Sequence, residues 1–199
     1  MAMKKGHNDN APGKGINHKV EPIRKLEDIE KIKMNIFGQP RNYTLFVIGV
    51  NTNLRASDLV GIKVRQVRGL KPMDDLEITE RKTGKKRRIT LNKSCIDAIG
   101  GLLRTNNYTD DDYLFKGQRG QLRPETIHAL VKSWCRVINL KGNYGSHTLR
   151  KTWGYHQRVT YNVGIPELMV CFNHSTQKQT LDYLCIQPDE IRSVYANEI

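Results

Sequence analysis

Long apolar runs are absent from these 199 residues, so the chain holds no segment of the ~20 residues that a membrane-spanning helix needs. The N-terminus is positively charged, but no hydrophobic stretch follows it, which removes a secretory signal. Cysteine is sparse as well. Cys95, Cys135, Cys171 and Cys185 make no CxxC pair and stand at no spacing from histidine that a zinc site would use. A disulfide framework and a metal site are therefore not indicated, and reduced core thiols are expected. The expected compartment is the cytoplasm. No internal repeat occurs, and low-complexity character is confined to the first twenty residues.

Acidic residues are also in deficit, 20 against 33 Lys and Arg, and the formal net charge of +13 is spread along the chain and not gathered in a tail. A polyanionic partner, nucleic acid first, follows from that balance. The alternative is a protein that is basic and nothing more. The length suits one globular domain. Residues 1 to about 20 are rich in Gly, Asn and Lys and nearly empty of large apolar side chains, so they cannot offset the entropy of ordering. They are expected to form a flexible basic arm or a leader, with a single domain over 21–199.

From Pro22 onward Ile23, Leu26, Ile29, Ile32 and Met34 recur at helical spacing, and Tyr43 to Val50 supplies a second helix. Between Leu76 and Leu91 the period becomes two, with Leu76 and Ile78 on one face, Ile89 and Leu91 on one face, and Thr83-Gly84 as the turn. This predicts a β-hairpin edged with Lys and Arg. Helical spacing returns over Lys93 to Arg104, Pro124 to Ile138 and Ser146 to Val159, with Pro124 suited to a first turn and Ser146 to an N-cap. Shorter helices are expected near Ile165, near Thr176 and from Pro188. The fold class is mainly α with a small antiparallel β-sheet.

Chemistry-bearing residues then appear in a particular order. Asn53-Leu54-Arg55-Ala56-Ser57-Asp58-Leu59 places Arg55 at a helix start, and Lys82 lies in Arg81-Lys82-Thr83-Gly84 beside the hairpin turn. His147-Thr148-Leu149-Arg150 opens a helix, His174 precedes Ser175-Thr176, and Tyr183 follows in Thr180-Leu181-Asp182-Tyr183. At about 100° per residue, His147 and Arg150 stand roughly 60° apart on one helix face, whereas His156 falls roughly 180° from His147 and is not expected to share a metal with it. Thr176 and Gln179 form a possible capping box for the helix that carries Tyr183.

Arginine, lysine, His-x-x-Arg, histidine and tyrosine in this order and spacing resemble the tyrosine recombinases of the phage integrase family, over roughly Ile23 to Tyr195. The resemblance implies the DNA breaking-rejoining catalytic fold and puts the motif positions on Arg55, Lys82, His147, Arg150, His174 and Tyr183. It further implies site-specific strand cleavage and rejoining through a 3′-phosphotyrosyl intermediate, without cofactor, metal or ATP. The implied partners are double-stranded DNA and further copies of the chain in a synaptic tetramer, with residues 184–199 as a tail that packs on a neighbouring protomer.

The chemistry asks for the same residue types. A phosphodiester attacked in line gathers charge on its non-bridging oxygens, which two guanidinium forks, Arg55 and Arg150, can grip. A phenol with a pKa near 10 needs a cationic field or a base to become a nucleophile, and a histidine can be that base. Lys82 can protonate the departing 5′-hydroxyl. Taken singly, each arginine would be read as a surface ion pair, each histidine as a loop or helix-start residue, and Tyr183 as one of eight tyrosines. Lys85, Lys86, Arg87 and Arg88 compete with Lys82 on the hairpin. Tyr195 is the rival nucleophile, but it sits in a final amphipathic segment with Ile191 and Val194.

The sequence departs from the family pattern in places. Asn53 and Asn173 stand where many members have glycine, and asparagine tolerates positive φ. Asp58 stands where glutamate is common. A separate helical domain usually precedes the catalytic one, whereas only the basic arm precedes Pro22 here, so either an excised catalytic domain or a naturally minimal recombinase is expected. Two other activities stay open: a type IB topoisomerase-like nick and reseal, and a catalytically silent DNA-binding module of the same fold.

Overall fold

A computed structural model describes residues 20–198 with the exception of 119 and 187. The arm expected over residues 1 to 20 therefore lies, but for Val20, outside the described residues. Helix α1 (Leu26–Ile36) buries Ile29, Ile32 and Ile36 on one face, whereas Leu26 and Met34, which the sequence pattern placed with them, are exposed. Helix α2 (Pro40–Asn51) starts on a proline and buries Leu45, Phe46, Val47 and Ile48 nearly all the way round, which makes it the central helix of the fold. It packs against α1, α4 (Lys93–Leu103) and α6 (Thr148–Val159). The approach to α6 depends on Gly49, where a Cβ would lie 2.5 Å from Leu149 Cδ1.

A short helix, α3 (Ala56–Leu59), follows α2 and leads through a 3₁₀ turn at Val64–Gln66 into the hairpin. Strands β1 (Asp75–Thr79) and β2 (Lys86–Thr90) pair antiparallel with Leu76 opposite Ile89 and Ile78 opposite Arg87. Leu76, Ile78 and Ile89 face inward, Leu91 is buried just beyond β2, and Gly84 takes φ +68 in the turn. A ribbon of β3 (Lys116–Gly117) and β4 (Gly120–Gln121) precedes α5 (Pro124–Val137), whose Trp134 packs edge-on to Phe46 at 5.5 Å. The chain closes with α7 (Ile165–Phe172), α8 (Gln177–Leu184) and α9 (Pro188–Val194). The fold is thus mainly helical with a small antiparallel sheet, as the periodicities predict.

Two hydrophobic clusters result. The large one joins α1, α2, α4, α5 and the hairpin. The small one, Leu168, Phe172 and Leu184 with Trp153, Val163, Ile165 and Tyr183 against it, holds α7 and α8 on α6.

Three local expectations are corrected. Ser146 is not an N-cap: α6 begins at Thr148, His147 holds the cap position with helical φ −80 and ψ −12, and Thr148 Oγ1 accepts from Gly145 N at 3.0 Å. Thr148 N donates back to the Gly145 carbonyl at 2.9 Å, so this reciprocal pair closes the turn and no side chain caps the helix. Asn173 takes φ 55, as its resemblance to a glycine position suggests, but Asn53 is not among the described residues with positive φ. Its side chain is used instead, as set out below. Cys95 and Cys135 are buried core thiols, whereas Cys171, in the last turn of α7, and Cys185, at the C-cap of α8, are only half-buried. No helix among the described residues is long and apolar enough to cross a membrane.

Candidate active site

Arg55, Lys82, His147, Arg150, His174 and Tyr183 line one cleft of about 980 Å³. Five separate segments deliver them. Arg55 is the N-cap residue of α3, Lys82 is exposed in the turn between β1 and β2, and His147 and Arg150 lie in the first turn of α6. His174 follows the left-handed Asn173 that ends α7, and Tyr183 lies near the end of α8. His156 is directed away from the cleft, with Nε2 3.0 Å from the Ile23 carbonyl. Among the described residues, no group of three or more His, Cys, Asp or Glu could hold a metal ion.

The Tyr183 hydroxyl lies 2.5 Å from His147 Nδ1. Burial raises the phenol pKa above its ordinary value of 10.0, and Arg150 and Arg55 oppose that rise. Burial lowers the His147 pKa, and the charges of Arg150, Lys151, Arg55 and Lys82 lower it further. A neutral imidazole therefore faces a neutral phenol, an arrangement in which the histidine can accept the phenol proton. His174 is pushed down to about 4, by burial first and then by Arg150 and Arg55. Its ring stacks on Phe172 at 5.0 Å, and Nδ1 lies 3.1 Å from Thr180 Oγ1.

Arg150 is the most enclosed charge in the cleft, 1 % exposed. Nη1 donates to the Asn53 carbonyl at 2.6 Å and Nη2 to the Phe172 carbonyl at 2.8 Å, while buried Nε has no partner among the described residues. The rings of Phe172 and Tyr183 lie 5.0 and 5.4 Å from the guanidinium carbon. Burial brings its pKa down to about 10, which still leaves it charged at neutral pH. Both Nη atoms are thus tied to backbone. Each keeps one further hydrogen, and these with Nε–H are what the side chain can offer an oxyanion. Arg55 is freer at its outer edge, but Nη1 is ion-paired with Glu80 Oε1 at 2.9 Å.

The sequence reading missed Glu80, Lys151 and the side chain of Asn53, and Arg87, which stands there as a rival of Lys82, turns inward onto Glu80 instead. Glu80 is fully buried and Arg87 Nη1 lies 2.6 Å from its Oε1. Asn53 Oδ1 accepts from Arg87 Nη2 at 2.7 Å, and its amide donates to the Cys171 carbonyl. Lys151, next to Arg150, lies 5.6 Å from the Tyr183 ring and 3.3 Å from Cys185 Sγ. A signal for Glu80 was present: it occupies the next inward position after Leu76 and Ile78 in a period of two. An acid at an apolar position is where a buried partner should be sought.

The helix bearing Tyr183 is capped at both ends. Thr176 Oγ1 accepts from Gln179 N at 3.4 Å, and Gln179 Oε1 accepts from Ser175 N at 3.2 Å, one residue upstream of a true capping box. Cys185 ends it in the left-handed region at φ 52.

Residues 25–189 match the phage integrase family. The chain is 36 % identical over 183 residues to the probable integrase/recombinase YoeC of Bacillus subtilis, covering 89 % of this chain and 96 % of the relative. It is 29 % identical over 174 residues to the tyrosine recombinase XerC of Caldanaerobacter subterraneus, covering 84 % of this chain but only 48 % of that one. Among solved structures, XerA recombinase superposes with a TM-score of 0.73 at 18 % identity over 94 % of this chain and 65 % of its own. XerH bound to a palindromic difH substrate gives the same score and identity, with 56 % of its length covered. At such identities the superpositions speak for the fold, and the fold is that of tyrosine recombinase catalytic domains. With the family match running over more than three-quarters of the sequence, the chain belongs to the phage integrase family.

Proposed function

We propose that this chain is a site-specific DNA strand transferase in which Tyr183 is the nucleophile. The observation that carries the reading is the 2.5 Å contact between Tyr183 Oη and His147 Nδ1 inside a cleft also lined by Arg55 and Arg150. Tyr183 Oη attacks the phosphorus in line as its proton passes to His147, and the 5′-oxygen departs with a proton from Lys82. The products are a 3′-phosphotyrosyl link and a free 5′-hydroxyl. Attack by a 5′-hydroxyl from another duplex reverses the step, so the phosphoester energy is kept and no ATP is used. Arg55 and the unspent N–H groups of Arg150 meet the charge on the non-bridging oxygens. With Nδ1 of His174 accepting from Thr180, its Nε2–H is left to donate to the same phosphate. The reaction is assigned to the cytoplasm, on double-stranded DNA, in a tetramer. Exposed Ile191, Val194 and Tyr195 support a C-terminal tail that packs on a neighbouring protomer.

The test is a duplex carrying the recombination site with a bridging phosphorothiolate, whose sulfur leaving group traps the covalent product. Wild type should give a denaturation-resistant protein–DNA adduct, and Tyr183→Phe should give none. An adduct that survives Tyr183→Phe but disappears in Tyr195→Phe would move the nucleophile to the tail. Binding without any adduct would leave a silent DNA-binding module, and relaxation of supercoils without exchange between duplexes would favour a topoisomerase-like activity.

A further inference from the structure

The inward face of the hairpin ends on a carboxylate that none of these steps uses. Glu80 follows Leu76 and Ile78 on the buried side and is 0 % exposed. Oε1 lies 2.6 Å from Arg87 Nη1 and 2.9 Å from Arg55 Nη1. Oε2 accepts from Thr83 Oγ1 at 2.7 Å and from Asn173 Nδ2 at 3.4 Å. Three of these four partners are Arg55 itself, the residue after Lys82 and the residue before His174. Arg87 carries the network further, because Nη2 donates to Asn53 Oδ1 at 2.7 Å and to the Cys171 carbonyl at 2.6 Å, while the Asn53 carbonyl receives Arg150.

We propose that Glu80, relayed by Arg87, is the positioning residue that sets Arg55, Arg150, the Lys82 turn and the His174 loop in register around Tyr183, and that its charge tempers the cationic field on the phenol. The inference rests on reading the cleft as a strand-transfer site. A purely architectural role is the weaker account. Burying a carboxylate is costly, and an apolar residue continuing Leu76 and Ile78 would fill the same space without that cost. Of the donors Glu80 collects, Arg55, Thr83 and Asn173 line the cleft, and Arg87 is joined to it through Asn53, whose carbonyl receives Arg150. Burial alone would raise its pKa, but the bonds from Thr83, Arg87 and Arg55 outweigh that and hold it at about 2. It is therefore ionised at any working pH. The groups facing the Tyr183 phenol are His147, Arg150 and Lys151 from α6, Arg55 from the start of α3, His174 from the loop after α7 and Cys185 from its own helix end. Glu80 at 2.9 Å is the nearer of two buried carboxylates that pair with Arg55, the other being Asp58 at 3.9 Å, and it pulls the His174 pKa upward as well.

The experiment is single-turnover adduct formation on the phosphorothiolate duplex from pH 6 to pH 10, with DNA affinity measured separately. Glu80→Gln keeps the shape and one acceptor oxygen but removes the charge. It should cut the rate by about a hundredfold, the scale of a misplaced reactive geometry, with affinity little changed. The alkaline rise in rate should also move to lower pH, because Arg55, having lost its nearer carboxylate, favours the phenolate more strongly. Glu80→Asp retains the charge and should be slower with the rise unmoved. A Glu80→Gln protein with wild-type rate and wild-type pH dependence would overturn the inference, as would a slower one whose pH dependence stays put. Should Glu80→Gln fail to fold, Thr83→Val in the exposed turn removes one bond to Glu80 without touching the core. It should slow cleavage, and a wild-type rate there would overturn the inference. Tyr183→Phe runs alongside, and an adduct surviving in it would bring down the strand-transfer reading itself, whatever Glu80 does.

Discussion

His156 shows how one side chain ties stability to pH. Nε2 donates to the Ile23 carbonyl at 3.0 Å and Nδ1 accepts from Thr160 Oγ1 at 2.9 Å, so the neutral ring is satisfied on both sides at 7 % exposure. Burial lowers its pKa below 6.5, and the bond to Ile23 only partly opposes this. A group depressed in the folded state contributes stability above its unfolded pKa and loses it as pH falls through the folded value. The melting temperature should therefore decline on acidification below about pH 6.5, with His147 and His174 adding to the slope because they are depressed too. His156→Gln should show a shallower decline between pH 7.5 and pH 5, measured by thermal melting, and an unchanged slope would refute the assignment. At this scale the types and order of Arg55, His147, Arg150, His174 and Tyr183 were legible. Their partners were not. Arg150 bonds to carbonyls 97 and 22 residues away, which no local pattern encodes.

The helix that presents Tyr183 has eight residues and would not persist alone in water. Its stability comes from Leu184 and Thr180, buried against the α6–α7 pair, and the fit requires a glycine in α6. A Cβ on Gly154 would lie 2.5 Å from Phe172 Cζ and 3.3 Å from Leu184 Cδ2. Gly154→Ala gains about 1 kcal/mol of helix propensity, but an overpacked contact costs about 1–3 kcal/mol and displaces the ring beneath Arg150 and Tyr183. The variant should melt lower, exchange amide hydrogens faster in α7 and α8, and lose more adduct formation than DNA affinity. A raised melting temperature would show that the contact relaxes freely. Most elements were legible because 3.6- and 2-residue periods are local. The β3–β4 ribbon was not, since two residues per strand carry no period, and Ser146 was misread because the turn before α6 is closed by Thr148.

Over the whole molecule, the charge of +13 concerns affinity more than chemistry. Arg81, Lys82, Lys85 and Arg123 are exposed in or beside the cleft, and each can meet a phosphate. At roughly 0.9 counterion released per contact, four contacts predict a slope of about −3.6 in log affinity against log salt on duplex DNA. Titration between low and physiological salt would measure it, and a slope near zero would count against a nucleic-acid partner. The sequence alone settled the fold class, the family resemblance and the order of chemistry-bearing residues, because composition, period and spacing are properties of neighbouring positions. Tertiary structure alone decided that Tyr183 meets His147, that Arg150 is held by two backbone carbonyls, and that an acid in a strand pattern pairs with Arg55 and Arg87. Those pairings join segments distant along the chain, and burial in a shared low-dielectric space, which packing creates, is what gives them their strength.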